Sequence, residues 1–345
     1  MRLRLLLVAL LIAIAYSALT VKNKIRKIVT GLSVPQEYIC VELKDIMCPP
    51  SIFLELENQK ISQDVTNSHL FLGYKPLILG LCFNRSDTNY SIVRDQDMVS
   101  LRFRNQLSAK ISNGASIAKL VLKKIDEKIA GDKTVLFYEG EYGSHSFLST
   151  VHQWVNTQRE KFRKHSPDNI NLPGNLADQV RIAYSVPRII SIITTSDGNL
   201  VNLFPTDLHG SVGKKFYASS LRKGGKANEQ VERYGQILVS EVETSFYNQA
   251  YAFGKNHMKE LQNENEFQIH SSRSKNFNFP LPSSVTYYRE LKRIDSFDHG
   301  IHRIHLYEII HQQAVSTNKS TLSHIHQYYT QWRIDHGLQT KIFLR

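Results

Sequence analysis

Short apolar runs separated by turn residues recur along the chain and predict a β-rich protein. The first half contains five of them, at Tyr38–Leu43, Ser51–Leu56, Leu77–Phe83, Ser100–Arg104 and Thr134–Tyr138. Two other segments predict helices. Ile111–Ile129 has a mixed pattern, whereas Phe147–Lys164 places five apolar residues on one helical face, namely Phe147, Val151, Trp154, Val155 and Phe162.

The second half repeats this pattern with clearer turn signals. Asp197-Gly198 supplies the positive φ of a tight hairpin between Arg188–Thr195 and Leu200–Phe204, and Pro205 is expected to end the second strand. Further strands are predicted at Phe216–Leu221, Gln236–Ser240, Val285–Lys292 and Ile301–Ile310. Two predicted helices, Gly225–Tyr234 and Glu243–Phe253, are each followed by glycine, a usual C-terminal residue. The expected fold class is β-rich α+β, a barrel with inserted helices.

A weak internal repeat links the two halves. Shifting residues 51–80 by 140 positions onto 191–220 gives six identities, which are Ser51/Ser191, Ile52/Ile192, Thr66/Thr206, His69/His209, Gly73/Gly213 and Lys75/Lys215. The repeat suggests a duplicated β unit. Residues 28–165, an N-terminal α+β domain of unknown role, contain no motif of their own that points to a function.

Changes in composition along the chain predict the remaining domain boundaries. A second domain covers residues 179–345, and the segment 166–178 is rich in proline, glycine and asparagine, as linkers are. Residues 1–22 contain the uncharged run Leu5–Val21, with basic residues on both sides. This layout is typical of a signal peptide or an N-terminal membrane anchor, although the charges after the run oppose export. The protein is therefore expected to be membrane-anchored or exported; the alternative is a cytoplasmic protein with a buried N-terminal helix.

Composition and charge narrow the class of protein. The chain has 345 residues, 41% of them hydrophobic, which excludes a disordered or collagen-like chain. Three cysteines, Cys40, Cys48 and Cys82, are too few for a disulfide scaffold. The 43 Lys and Arg residues exceed the 31 Asp and Glu residues by 12. This excess favours anionic partners: nucleic acid, an anionic membrane surface or a phosphate-bearing ligand.

Polar residues that suit a flat, anionic ligand are concentrated in the second domain. Hydroxyl groups occur at Thr194-Thr195, Thr206 and Ser219-Ser220, and Arg222 and Lys223 follow the last pair. Hydroxyl and backbone N–H groups satisfy phosphate oxygens, and an arginine adds a bidentate charged contact. The alternative interpretation is a solvated loop beside ordinary strand hydroxyls.

The order of these residues resembles the flavin reductase-like family of FMN-binding split barrels, over about residues 180–340. The similar features are a strand ending in Thr194-Thr195, a return strand with Asn202, a strand ending in Ser219-Ser220 before a phosphate-contacting loop, and a late Gly300-Ile-His302 strand. The resemblance implies an FMN-binding split β-barrel with inserted helices. A second, degenerate β-rich domain would precede it.

Carried over residue by residue, the resemblance implies non-covalent FMN binding at a subunit interface. It predicts either a homodimer or a monomer whose first domain covers the site. Thr194 and Thr195 would lie beside the ring system or ribityl chain, and the ring edge would be lined by Asn202, Phe204, Pro205 and Thr206. Ser219, Ser220 and Arg222 would hold the phosphate. His302, the candidate catalytic residue, would lie near the flavin or the nicotinamide.

The reaction that the resemblance implies is that of a flavin reductase-like oxidoreductase, which uses NAD(P)H to reduce the flavin and passes electrons to an unknown acceptor. Bulky Phe204-Pro205 and the glycines Gly224-Gly225 depart from the family pattern and put turnover in doubt. One alternative is a non-catalytic FMN-binding or electron-relay protein at a membrane. A basic nucleic-acid-binding β protein is a second alternative, which we disfavour.

Histidines are numerous, but no metal site is expected. His299, His302 and His305 recur every third residue, so that on a strand His302 and His305 face opposite sides. His324 and His326 could share a face, but no acidic partner is close to them in sequence.

Overall fold

Antiparallel strands dominate the computed structural model, which describes residues 21, 23–56, 61–106, 115–162, 170–317, 321–338 and 340–343. The strands are β1 (Tyr38–Glu42), β2 (Ser51–Leu56), β3 (Ile61–Asp64), β4 (His69–Tyr74), β5 (Leu77–Asn84), β6 (Met98–Arg104), β7 (Ser116–Ala130), β8 (Lys133–His145), β9 (Arg188–Ile189), β10 (Ser191–Ser196), β11 (Val201–Thr206), β12 (His209–Val212), β13 (Phe216–Arg222), β14 (Gln236–Val242), β15 (Ile269–Arg273), β16 (Pro280–Pro282), β17 (Val285–His299), β18 (His302–Ala314), β19 (Leu322–His326) and β20 (Ile342–Phe343). The helices are α1 (23–30), α2 (Tyr90–Arg94), α3 (Thr150–Phe162), α4 (Leu176–Ala183), α5 (Lys226–Tyr234), α6 (Tyr247–Ala252) and α7 (Gln327–Asp335).

Two seven-stranded sheets, one from each half of the chain, have the same strand order. The N-terminal sheet runs β3-β2-β6-β7-β8-β5-β4, and the C-terminal sheet runs β11-β10-β14-β17-β18-β13-β12. If β2 is matched with β10, and the strands are then matched in chain order up to β8 with β18, the two strand orders are identical. Strands β15 and β16 are left out of this matching and form a two-stranded sheet of their own. The weak repeat in the sequence therefore corresponds to two β units of one topology.

A four-stranded sheet joins the two units. Its order is β20-β1-β19-β9, and the register between β1 and β19 runs from Tyr38 opposite His326 to Glu42 opposite Leu322. Strand β1 precedes the N-terminal sheet, whereas β19 follows the C-terminal sheet. Residues far apart in sequence are thereby brought to one edge of the molecule, where the candidate site lies.

Equivalent turns make the contact between the two units. Gly131, in the turn between β7 and β8, approaches Phe216 at the start of β13. Gly300, in the turn between β17 and β18, approaches Pro76 between β4 and β5. Its φ is +56°, and a Cβ at this position would lie 2.2 Å from Cδ of Pro76 and 2.4 Å from the carbonyl oxygen of Lys75. Glycine is therefore required at position 300 for both conformation and space.

Apolar clusters fill the C-terminal unit and also join the two units. Phe204, Val231, Val239 and Tyr307 belong to a cluster between the C-terminal sheet and α5. In another cluster, Leu70 and Phe137 of the N-terminal sheet pack with Val212 and Leu306 of the C-terminal sheet. Because buried apolar area is the main stabilising contribution, the contact between the units is part of the core.

Two predicted elements are wrong, each for a physical reason. Residues 116–130 form β7 and not a helix, since bulges between Val121 and Leu122 and between Lys124 and Asp126 disrupt the two-residue alternation. Pro205 does not end its strand, because β11 is at the sheet edge and continues to Thr206. A missing N–H group is tolerated at an edge.

The predicted apolar helix face also differs from the structure. The helix exists as α3, but Val151, Trp154 and Phe162 on that face are exposed, and Asn156 is the buried residue of the helix. Arg163 and Lys164 lie outside the described residues, as does the predicted linker up to residue 169. The linker's last three residues, 176–178, form the first turn of α4, which packs against β8.

The predicted signal or anchor segment lies outside the described residues, except for Val21. Within the part of the chain that the structure describes, none of the helices combines the length and the apolar character needed to span a bilayer.

Candidate functional site

A cleft of about 970 Å³ lies where the two units meet the four-stranded sheet. Sites for small molecules and cofactors have volumes of about 300–1,000 Å³. Residues from distant parts of the chain line this cleft, among them Tyr38 of β1, Tyr74 of β4, Tyr184 after α4, Arg222 of β13, and His324 and His326 of β19. The cleft thus combines aromatic rings with a cation from the loop that the sequence analysis selected.

Arg222 is the available cation of that loop. Lys226 pairs with Glu229 at 2.9 Å and with Glu260 at 3.0 Å, and Lys223 lies 3.8 Å from Asp298. The side chain of Arg222 is exposed, and its guanidinium group has no hydrogen-bond or ion-pair partner among the described residues. The charge of Arg222 acts on Tyr74 in the cleft wall. Burial raises the pKa of Tyr74 to about 12, whereas the charge of Arg222 by itself would lower this pKa.

His302 is fully buried, and both of its ring nitrogens have partners. The backbone N–H of Tyr74 donates to Nε2 at 3.3 Å, so that the proton lies on Nδ1, which faces Oγ of Ser220 at 3.2 Å. Burial, followed by the charges of Arg222 and Lys223, lowers the pKa of His302 to about 4. His302 is therefore a neutral bridge between the two units, and its predicted contact with flavin or nicotinamide stays a prediction.

Neighbouring residues of the predicted site face opposite sides of their strands. Oγ of Ser219 lies 3.0 Å from the hydroxyl of Tyr307, inside the C-terminal unit, whereas Ser220 contacts His302 toward the N-terminal unit. Thr194 and Thr195 are separated in the same way, because side chains alternate along a strand. Each pair can place only one hydroxyl on a given face, and both serine hydroxyls already have partners within the protein.

Asn202 and Phe204 lie in the interior of the C-terminal unit. Nδ2 of Asn202 donates to Oε1 of Gln230 at 2.8 Å and to the carbonyl oxygen of Asn256 at 3.0 Å. The hydroxyl of Thr195, opposite Asn202 in the register, is buried with no hydrogen-bond partner in the described structure. These side chains therefore connect the sheet to the helices that cover it, away from the cleft.

Pro205 and Thr206 line a second cavity of about 200 Å³. Tyr247, Ala250 and Tyr251 of α6 form another wall. The two cavities adjoin at His324, which lines both of them. The residues predicted to surround one flavin are thus divided: Arg222 belongs to the large cleft, and the ring-edge pair Pro205 and Thr206 belongs to the small cavity.

A hydrogen-bond relay between the cavities was missed by the sequence analysis. Nδ1 of His324 lies 2.8 Å from Oδ2 of Asp207, and its Nε2 lies 2.6 Å from the hydroxyl of Tyr251. The hydroxyl of Tyr184 donates to the same Asp207 oxygen at 2.9 Å. Burial would raise the pKa of Asp207, but the hydrogen bond and charge of His324 and the hydrogen bond of Tyr184 hold this pKa below its ordinary value.

The acidic partner of His324 is 117 residues away in sequence, so no local pattern could reveal it. The relay does not form a metal site. Within the described residues, no group of three or more His, Cys, Asp or Glu side chains could hold a metal ion.

Comparisons with known proteins give a likeness in fold. No family model and no curated protein matches the chain. Among solved structures, the chain resembles flavin reductases and FMN-binding proteins. The NADH:FAD oxidoreductase SgcE6 of Streptomyces globisporus is 13% identical, and the match covers 52% of this chain and 99% of that chain with a TM-score of 0.40.

Two further likenesses are of the same kind. The flavin reductase PheA2 is 11% identical, with a TM-score of 0.36, over 48% of this chain and 97% of that chain. An FMN-binding protein from Thermus thermophilus is 11% identical, with a TM-score of 0.34, over 44% of this chain and 80% of that chain. All three likenesses are at low sequence identity and concern the fold alone.

Proposed function

We propose that this protein is a flavoprotein with two split-barrel units and that it binds FMN non-covalently in the large cleft. The observation that carries the proposal is the position of Arg222. Its guanidinium group is exposed at the cleft wall, has no partner among the described residues, and lies beside Tyr74 of the other unit. A free guanidinium group next to aromatic rings suits a ligand with a phosphate and a flat ring system.

The residues of the cleft fit the two ends of FMN. Arg222 would hold the phosphate through its guanidinium group. Tyr38, Tyr74 and Tyr184 would contact the ring system from the opposite side. Ser219 and Ser220 would act indirectly, since their hydroxyl groups already bond Tyr307 and His302.

The proposed activity is that of an NAD(P)H-dependent flavin reductase-like oxidoreductase. A bound flavin would supply the hydride-accepting chemistry and pass electrons to an acceptor that the sequence does not identify. The chain would bind and orient the flavin and shield it from water. His302, neutral and bonded on both sides, would hold β13 against Tyr74 and would not transfer protons itself.

Because both ring nitrogens of His302 already have partners, a second candidate is favoured. It is an electron-relay protein that binds FMN without reducing it by NAD(P)H. The two candidates share the cleft and differ only in turnover. NAD(P)H oxidation by the purified protein, with and without added flavin, separates them. A protein that binds FMN but gives no oxidation above the rate of free flavin would support the relay.

We further propose that one chain is sufficient for the site. The predicted homodimer would place a second subunit against the flavin, whereas here Tyr38 and Tyr74 of the N-terminal half already line the cleft. The N-terminal unit would take the place of the partner subunit. Light scattering of the FMN-loaded protein tests this, and an obligate dimer would contradict it.

An absorption spectrum of the full-length protein tests the central proposal. The purified protein, or the protein after addition of FMN and gel filtration, should retain flavin absorbance. A colourless protein that does not bind added FMN but binds DNA with a strong dependence on salt would overturn the proposal in favour of the nucleic-acid alternative.

A further inference from the structure

Two neighbouring helices expose large apolar side chains that nothing in the described structure covers. They are Ile25, Ile28 and Val29 of α1 and Val151, Trp154 and Phe162 of α3, and we call these six residues the apolar face. Trp154 is 64% exposed, Ile28 76% and Phe162 85%. Single exposed apolar residues are ordinary, whereas a contiguous group marks an interaction surface.

The two helices are held side by side by polar contacts. Nδ2 of Asn156 donates to the carbonyl oxygen of Thr30 at 2.8 Å, and Nε2 of His152 lies 3.2 Å from the carbonyl oxygen of Ile28. Gly31 follows α1 and packs so closely that an added Cβ would lie 2.7 Å from Nδ1 of His152. The exposed residues of both helices therefore belong to one surface.

Cations lie near this surface. Lys24, Lys27, Arg159 and Lys161 are all exposed on the same two helices. Burial, and next the charge of Arg159, lower the pKa of Arg26, which places cations of α1 and α3 close together. Of the nearby acids, Glu160 bonds Arg181 and Asp335 lies 3.2 Å from Nζ of Lys27. The two helices that carry the apolar face therefore also carry exposed cations.

We propose that the apolar face docks on an anionic lipid bilayer. Its aromatic and aliphatic side chains would enter the boundary between headgroups and acyl chains, where tryptophan is favoured. The cations of both helices would contact lipid phosphates, and each is worth about a fivefold change in partitioning. The sequence supports this occupant over a protein partner, because the uncharged run Leu5–Val21 leads directly into α1.

Trp154 provides a natural probe for the full-length protein. The chain has two tryptophans, and Trp332 is buried. Vesicles of equal parts phosphatidylcholine and phosphatidylserine should shift the tryptophan emission to shorter wavelength, and brominated acyl chains should quench it. The Trp154→Phe variant should lose both responses while still sedimenting with the vesicles.

Charge and apolar variants test the rest of the surface. Lys24→Glu combined with Arg159→Glu should weaken partitioning by at least about tenfold, as should Phe162→Ser combined with Ile28→Ser. Lys123→Glu and Ile129→Ser are matched controls, since both residues are exposed on β7, and they should leave partitioning unchanged.

Two results would overturn the proposal. If the full chain sediments with vesicles but Trp154 is not quenched, the segment 5–21 binds alone and the apolar face does not dock. If Trp154 emits at short wavelength without vesicles and light scattering gives a dimer, a second copy covers the face.

Discussion

The two seven-stranded sheets share a strand order but differ at one matching corner, which in the C-terminal sheet lies at the cleft. In the C-terminal sheet, Arg222 of β13 lies opposite His302 of β18; in the N-terminal sheet, the matching pair is Asn84 of β5 and Lys133 of β8. Nζ of Lys133 donates to Oδ1 of Asn84, so this corner is closed by its own side chains. Under the proposed function, one copy of the repeated topology would hold the ligand and the other would form a wall of the cleft.

The units also differ in what is inserted between matching strands. Residues 105–115 connect β6 to β7, whereas residues 243–284 connect β14 to β17 and contain α6, β15 and β16. This longer connection supplies Tyr247 and Tyr251 to the small cavity. The helical wall of the second cavity therefore comes from this longer connection of the C-terminal unit.

The largest expected effect is a fall in the free energy of unfolding at acidic pH. Burial lowers the pKa of five histidines to about 3 or 4; they are His69, His209, His302, His305 and His326, and of these only His69 belongs to the N-terminal sheet. Unfolded histidine titrates near 6.5. Below that pH the unfolded state binds more protons, so each histidine lowers the free energy of unfolding by up to about 1.4 kcal/mol per pH unit.

Urea denaturation between about pH 7.5 and 4.5 measures this loss. Stability should be intact above pH 6.5 and fall steeply below it, down to the folded pKa values of about 4. His302→Gln should reduce the slope of the free energy of unfolding against pH by the contribution of one proton, about 1.4 kcal/mol per pH unit. His69→Gln should have the same effect in the N-terminal sheet. A free energy of unfolding that stays constant from pH 7 to 5 would show that these histidines are not buried as neutral groups.

The next largest effect concerns the contact between the units. Gly300→Ala combines a positive φ with a collision against the backbone of Lys75, and it should lower the free energy of unfolding by about 3 kcal/mol. Gly224→Ala is the matched control, because its φ is +77° with no atom within 4 Å of the added Cβ. It should cost about 1 kcal/mol. Equal losses, measured by urea denaturation, would mean that Gly300 is not confined by the other unit.

The accuracy of the prediction from sequence depends on whether a feature is determined by neighbouring residues or by contacts between distant segments. Strand β2 was predicted with its observed limits, and α5 was predicted to end before Gly235, whose φ is +66°. The strand β7 was mistaken for a helix because its bulges hide the alternation. The relay of Asp207, His324 and Tyr251 depends on strand pairing between distant segments, which leaves no periodic trace in the sequence.

Arg222 tests the ligand-binding side of the comparison. A charge-assisted bond to phosphate is worth about 1.5–3 kcal/mol, so Arg222→Ala should weaken FMN binding by roughly one to two orders of magnitude. Riboflavin, which lacks the phosphate, should be affected much less, and Arg222→Lys should recover part of the loss. Lys223→Ala is the control, since Lys223 lies beside Asp298. Equal losses for FMN and riboflavin in a fluorescence titration would contradict the phosphate assignment.

The smallest expected effect comes from the matching position in the N-terminal sheet. Asn84→Ala removes the partner of Lys133 but no ligand contact, so FMN affinity should change by less than about twofold. Asn84 also bonds Asp87, and far-UV circular dichroism should confirm that the variant is folded before it is titrated. Titration should give one FMN per chain for wild type and variant alike, because the N-terminal corner offers Lys133 and Asn84 to each other. Two flavins per chain, or a loss for Asn84→Ala as large as that for Arg222→Ala, would mean that both copies bind ligand.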